Sequence, residues 1–251
     1  MIRAVPLVLA VLVALAAPAV AGDEPAAPDG ASLFASACAS CHGSDGQGVT
    51  NADGSVRGPS LEHSGAAGAY YYLSTGRMPL ADSDTQPLRK PPVFDDAQIT
   101  ALVSFVAALG DGPDRPSLDL GAADLVTGGE LFRENCQACH SASGSGGALS
   151  YGRAAPRLAE ATPEQLGAAV RTGPGQMPVF GPEALTDEQV ADIASYVVYL
   201  RDPADPGGLP IGRTGPIPEG FVSWFVGVPL LLGLVGWIGT RAPARRRRDD
   251  A

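Results

Sequence analysis

The chain has 251 residues, 45% of them hydrophobic, and its 17 Lys and Arg against 27 Asp and Glu give a formal net charge of −10. Such an acidic balance argues against nucleic acid and against docking of the chain's body on anionic lipid headgroups. Four cysteines would suffice for two disulfides, but their spacing, taken below, points elsewhere.

Residues 1–21 hold one positive charge (Arg3), an apolar run to Ala17 and the triplet Ala19-Val20-Ala21. This is the pattern of a secretory signal peptide. The alternative is a retained N-terminal anchor, since Ala4 to Ala21 is 18 residues, just long enough to span a bilayer. Both readings send the body of the chain out of the cytoplasm. No cysteine precedes Cys38, which excludes a lipid-modified N-terminal cysteine.

Two units follow, over 30–110 and 122–202, separated by the Pro/Gly-rich "GDGPDRPSLDLG". They align along their whole length, as an internal duplication does. A short helix over 31–37 leads into "CASCH" and another over 129–135 into "CQACH". "RGPSL" (57–61) matches "AAPRL" (154–158), and "TGRMP" (75–79) matches "GPGQMP" (173–178). Each unit closes on an amphipathic helix, with Ile99, Leu102, Val106 and Leu109 on one face, and Val190, Ile193, Val197 and Leu200 on the other's. Asp95 with Gln98 and Thr186 with Gln189 have capping-box spacing. No stretch alternates, so the predicted body is all-α with long loops.

A Pro/Gly-rich linker (203–220) then leads to an apolar run over 221–240 and a basic tail over 241–251. From Phe221 to Gly239 only Ser223 is polar, and Trp224 and Trp237 stand near the ends, as at membrane interfaces. Arg241 and Arg245 to Arg248 belong on the cytoplasmic side, which places the body outside. Residues 22–240 hold 11 basic and 25 acidic groups, so the outer body is strongly acidic.

All four cysteines lie in two Cys-x-x-Cys-His pentapeptides, Cys38, Cys41, His42 and Cys136, Cys139, His140. This is the attachment pattern of c-type haem, in which two thiols form thioethers with the porphyrin vinyls and the imidazole ligates the iron. A four-cysteine zinc site would leave both histidines without a role. A thioredoxin-like motif needs a strand–helix context that is missing here. Two covalently bound haem c groups are therefore expected, each serving as the core of a unit too small to be stable without a staple. Met78 follows His42 by 36 residues and Met177 follows His140 by 37, and these two are the expected distal axial ligands. His63 has no counterpart in the second unit and reads as a solvated loop residue. Pro59 and Pro156 are expected in the loop facing the haem, with a plain turn role as the alternative. His/Met ligation raises the potential of the iron and fills both axial positions, so the expected chemistry is one-electron transfer.

Taken with "CASCHGSDGQG", "RGPSLEHSGAAGAYYYLSTGRMP", "KPPVFDDAQITALVSFV", "CQACHSASGSGGALSYGRAAPRL", "TGPGQMPVF" and "GPIPEGFVSWFVG", the chain resembles the dihaem cytochrome c subunit of the actinobacterial cytochrome bc1 (bcc) complex. The resemblance covers residues 31–241. It implies two tandem small class I cytochrome c domains followed by one C-terminal transmembrane helix. It also implies a place in a menaquinol:cytochrome c reductase, beside a cytochrome b subunit and a Rieske iron–sulfur subunit. Electrons would pass from the Rieske protein through the two haems to an aa3-type cytochrome c oxidase, and the chain alone would be a carrier. Where members of that family keep an N-terminal anchor with a basic start, this chain begins almost uncharged. The alternative is a membrane-tethered dihaem carrier for another oxidase or a dehydrogenase, although such proteins generally carry their anchor N-terminally. A dihaem peroxidase would need an open axial position, against which the two matched Met-Pro sites argue.

Met78 to Gln98 spans 20 residues and Met177 to Gln189 only 12. The excess is the loop "LADSDTQPLRKPPVF" (80–94), with the body's one adjacent basic pair, Arg89 and Lys90. It is expected to make a contact specific to the first unit, with a plain solvated loop as the alternative.

Overall fold

The computed structural model describes residues 28–82, 85–203 and 220–241. The signal-like segment, most of the second linker and the basic tail beyond Arg241 lie outside the described residues.

The first unit begins with α1 (Gly30–Ala37), whose N-terminus is closed by the Asp29 carboxylate accepting from the backbone of Ala31 and Ser32. The helix breaks at Cys38 and restarts as the single turn α2 (Ala39–His42). Two very short strands, β1 (Val49–Thr50) and β2 (Val56–Gly58), pair antiparallel. Then come α3 (Gly65–Ser74) and α4 (Asp96–Ala107). The second unit repeats this order: α5 (Leu125–Asn135), α6 (Gln137–His140), β3 (Gly147–Ala148) paired antiparallel with β4 (Ala154–Ala155), α7 (Pro163–Thr172) and α8 (Asp187–Tyr199).

The all-α expectation therefore needs a small correction. The two ladders are two or three residues long, too short to leave a period-two pattern. Both expected capping boxes are formed, at Asp95/Gln98 and Thr186/Gln189, and α7 has a third at Thr162/Gln165.

Each unit has its own core. Phe34, 1% exposed, packs with Leu73, Ile99, Leu102 and Val106. Phe132, 0% exposed, packs with Leu158, Leu166, Val190, Ile193 and Val197. Each phenylalanine stands four residues before the first cysteine of its motif, so the helix preceding the motif is nailed to the core one turn before the cysteine. Burying one such ring contributes about 2 kcal/mol.

Helix α3 carries no clean amphipathic pattern because it is buried nearly all round, packed on its own unit and on α7. Their crossing is made of small residues and one aromatic: Ala67, Ala168, Ala169 and Tyr71. Ala67 and Ala168 are 0% exposed. Ala168→Leu is expected to overpack this crossing at a cost of about 1–3 kcal/mol, read as a lower thermal midpoint; an unchanged midpoint would mean that the units do not pack here in solution. At the end of α7, Arg171 is 4% exposed yet fully partnered. Its Nη1 donates to the carbonyls of Phe180 (2.9 Å) and Leu185 (2.7 Å), and its Nη2 to Asp187.

The C-terminal helix α9 (Gly220–Arg241) has 22 residues and is apolar and long enough to cross a membrane, with its side chains exposed. It includes a π-helical turn over Ser223–Gly227. The cause is Pro229, which has no N–H to give and whose ring crowds the carbonyl four residues back, that of Phe225. The Arg241 guanidinium folds back over the Trp237 ring, 4.4 Å from its centroid.

Candidate haem sites

The geometry around the two motifs is nearly identical. The amides of Cys41 and His42 donate to the Cys38 carbonyl (3.1 and 3.0 Å), and those of Cys139 and His140 to the Cys136 carbonyl (3.2 and 3.0 Å). One helical turn thus carries both thiols and the imidazole on neighbouring faces. The Gly48 amide donates to the His42 carbonyl (2.7 Å) and the Gly146 amide to that of His140 (2.9 Å). Both glycines have positive φ, 89° and 85°, which a side chain at either place would strain.

The histidines are oriented by the prolines. His42 Nδ1–H donates to the Pro59 carbonyl at 2.8 Å, and His140 Nδ1–H to the Pro156 carbonyl at 3.0 Å. A carbonyl can only accept, so Nδ1 holds the proton and Nε2 keeps its lone pair, as a metal-ligating imidazole requires. Each proline thus meets the histidine of its own motif through its backbone carbonyl. Burial lowers the His140 pKa, against the smaller opposing effect of its bond to Pro156, which favours the neutral, ligating form. Burial pushes the Cys136 thiol up to about 11 and raises that of Cys38, so these sulfurs are uncharged, as suits a buried thioether.

In the second unit, Cys136, Cys139, His140 and Met177 all line one cavity of about 420 Å³, walled by Phe132, Leu158 and other apolar side chains. In the first unit, Cys38 and Met78 pack against the same core cluster, and the Met78 amide donates to the Tyr72 carbonyl (3.1 Å). His63 is elsewhere, in an exposed 2.8 Å pair with Asp111, whose carboxyl the hydrogen bond from His63 holds below the usual range.

The loop over 80–94 does make a contact that the second unit has no equivalent of, and the contact lies across the unit boundary. Gln86 Nε2 donates to the Ala154 carbonyl (2.8 Å) and the Ala154 amide donates back to Gln86 Oε1 (3.1 Å). Arg89 Nη2 donates to Gln165 Oε1 at 2.5 Å. Together with Tyr71, Tyr72 and Arg77, this loop closes part of the cavity that holds the second motif. The sequence signalled the loop by its excess length and its basic pair; Tyr71, Tyr72 and Arg77 gave no signal.

These residues fit a covalently held haem in each unit. Free thiols stand beside an imidazole with an available Nε2, and in the second unit an apolar cavity is faced by a thioether. The buried Arg77 Nη1 has no hydrogen-bond partner among the described residues, as expected next to a site for an anionic group.

Comparison with known proteins agrees. Residues 27–110 match the family model described as cytochrome c, and residues 123–197 that of cytochrome c oxidase, cbb3-type, subunit III. The chain is 42% identical over 221 residues to the cytochrome bc1 complex cytochrome c subunit of Mycobacterium tuberculosis (strain ATCC 25618 / H37Rv), covering 85% of this chain and 77% of the relative. It is 36% identical over 231 residues to the protein of the same name from Corynebacterium diphtheriae, covering 85% and 80%. A cbb3-type cytochrome c oxidase subunit FixP from Sinorhizobium medicae is 30% identical over 186 residues, covering 68% and 59%. At 42% identity over most of its length, the chain belongs to the family of cytochrome c subunits of the cytochrome bc1 complex.

Proposed function

We propose that this chain is the dihaem electron-transfer subunit of a menaquinol-oxidising bc1 complex, taking electrons from a Rieske iron–sulfur subunit beside cytochrome b and delivering them to an aa3-type oxidase. The observation that carries the reading is the repetition of one arrangement, the same thiol pair, proline-oriented histidine and Met-Pro pair in both units of a chain of this family. Cys38 and Cys41 would hold the first haem c through thioethers, and Cys136 and Cys139 the second. His42 and His140 would each offer Nε2, and Met78 and Met177 each a thioether sulfur, to the iron. Haem so held would supply a one-electron iron couple whose potential a thioether ligand raises. With its iron held by side chains, each unit would carry electrons and not bind oxygen or peroxide. Helix α9 anchors the chain in the cell membrane, with the basic tail on the cytoplasmic side and both haem units outside.

The match of residues 123–197 to a cbb3-type oxidase subunit model favours a second reading, a tethered dihaem carrier for another oxidase. A tagged pull-down from membranes in mild detergent, followed by a reduced-minus-oxidised visible spectrum, separates the two. Bands of b- and a-type haem accompanying the c-type band are expected. A c-type band alone would leave the haem sites standing and move the free-carrier reading ahead, and no haem band at all would overturn both.

A further inference from the structure

We infer that Arg77 and Arg89, both supplied by the first unit, hold a carboxylate of the haem carried by the second unit. The inference rests on the reading of Cys136, Cys139 and His140 as a haem site.

Its first support is a buried cation with an unsatisfied donor. Arg77 is 7% exposed, it stacks over the Tyr71 ring at 4.8 Å, and its Nη1 is buried without a hydrogen-bond partner among the described residues. Leaving a buried charged donor unsatisfied is costly. The comparison with Arg171 is direct: equally buried, it has two carbonyls and a carboxylate. Arg77 has none of these, and it stands near a second cation, Arg89.

The charge of the cavity is the second support. The body over 22–240 is acidic, with 11 basic groups against 25 acidic. Yet Arg77, Arg89, Arg153 and Arg157 all line this cavity, and Glu160 is the one acid among the lining residues. A third of the body's cations on one apolar pocket is the signature of an anionic occupant. Haem is such an occupant, and its two carboxylates are planar acceptors matched to the guanidinium fork.

The third support is the asymmetry of the repeat. In the alignment of "TGRMP" with "GPGQMP", Gln176 stands where the first unit has Arg77, and the second unit has no counterpart of the loop that brings Arg89. Neither arginine is therefore part of the repeated haem site. What they share is the cavity of the other unit, on which the loop is fastened by the Gln86–Ala154 and Arg89–Gln165 hydrogen bonds. The first unit thus completes the second haem's pocket.

The test is a potentiometric titration of the full haem-loaded chain in detergent, following each haem's visible band. A cation beside a haem carboxylate favours the reduced iron, so Arg77→Gln should lower one midpoint. The expected size is about a tenfold fall in the reduced-to-oxidised ratio at fixed potential, or 59 mV for a one-electron couple. Arg77→Lys, which keeps the charge and loses the fork, should fall less. Arg89→Gln, half-buried and so safer for folding, should shift the same haem in the same direction. In a background lacking the second haem (Cys136→Ser with Cys139→Ser), Arg77→Gln should leave the remaining midpoint where it was. Unmoved midpoints in haem-loaded Arg77→Gln and Arg89→Gln chains would overturn the inference and reduce Arg77 to a packing residue. A shift that persists in the single-haem background would assign it to the first haem and overturn it equally. A wild-type chain without haem in the second unit would overturn the inference together with the functional reading beneath it.

Discussion

Replacing Cys136 and Cys139 together by serine is expected to remove one of two covalent haems, halving the pyridine-haemochrome absorbance per chain and lowering the intact mass by one haem. Serine keeps the shape of the site but offers no sulfur to add to a vinyl group. The loss is expected to be confined to the second unit, because Cys38 packs against a separate core built around Phe34. The second unit should suffer beyond the cofactor, since Phe132, Leu158, Leu166, Val190 and Val197 all face the same cavity. With nothing to fill it, these side chains lose their packing partners, and large apolar cavities cost about 20–25 cal/mol per Å³. The expected result is therefore a halved haem content with a lowered melting temperature of the second unit. Two haems retained on the serine variant would refute the attachment roles.

Met177→His is expected to move the midpoint potential of the second haem downward, by an amount on the order of a tenth of a volt or more, within the roughly 0.8 V over which axial ligands set haem potentials. The soft thioether favours the reduced iron, and an imidazole in its place gives up that preference. Met177 lines the cavity that holds His140, Cys136 and Cys139, and no other methionine or histidine is among its lining residues. Met78→His is expected to do the same to the first haem. In both variants haem content should stay at the wild-type level, because the thioethers and the proximal histidine are untouched. A titration in which neither midpoint falls would refute the distal roles of the methionines.

Much of this site was legible in the chain because its information is local. A Cys-x-x-Cys-His pentapeptide sets both thiols and the imidazole on one helical turn wherever it folds, as α2 and α6 do. Capping boxes are likewise four-residue devices, and Asp95/Gln98 and Thr186/Gln189 formed as their spacing required. The helix over Gly220–Arg241 follows from an unbroken apolar run, although only the structure shows how Pro229 is absorbed, by a π turn just before it. The family resemblance, carried by longer stretches of sequence, is borne out by relatives at 42% identity.

What the chain left open depends on partners far away in sequence. Nothing local in the sequence tied Pro59 and Pro156 to the histidines, whose Nδ1 atoms their carbonyls meet across 17 and 16 residues. Helix α3 lacked a polar face to reveal it, because it is covered on both sides once the units pack through Ala67 and Ala168. The extra loop announced itself by its length and its basic pair; that Gln86 and Arg89 reach Ala154 and Gln165, 68 and 76 residues on, follows from how the units sit together. The sequence by itself determined the two Cys-x-x-Cys-His turns and their duplication, since covalent spacing within one turn suffices for that. Only the tertiary structure decided that the first unit walls the second unit's cavity and leaves Arg77 Nη1 buried there without a hydrogen-bond partner among the described residues, because burial and pairing are properties of surfaces that meet only after both units have folded.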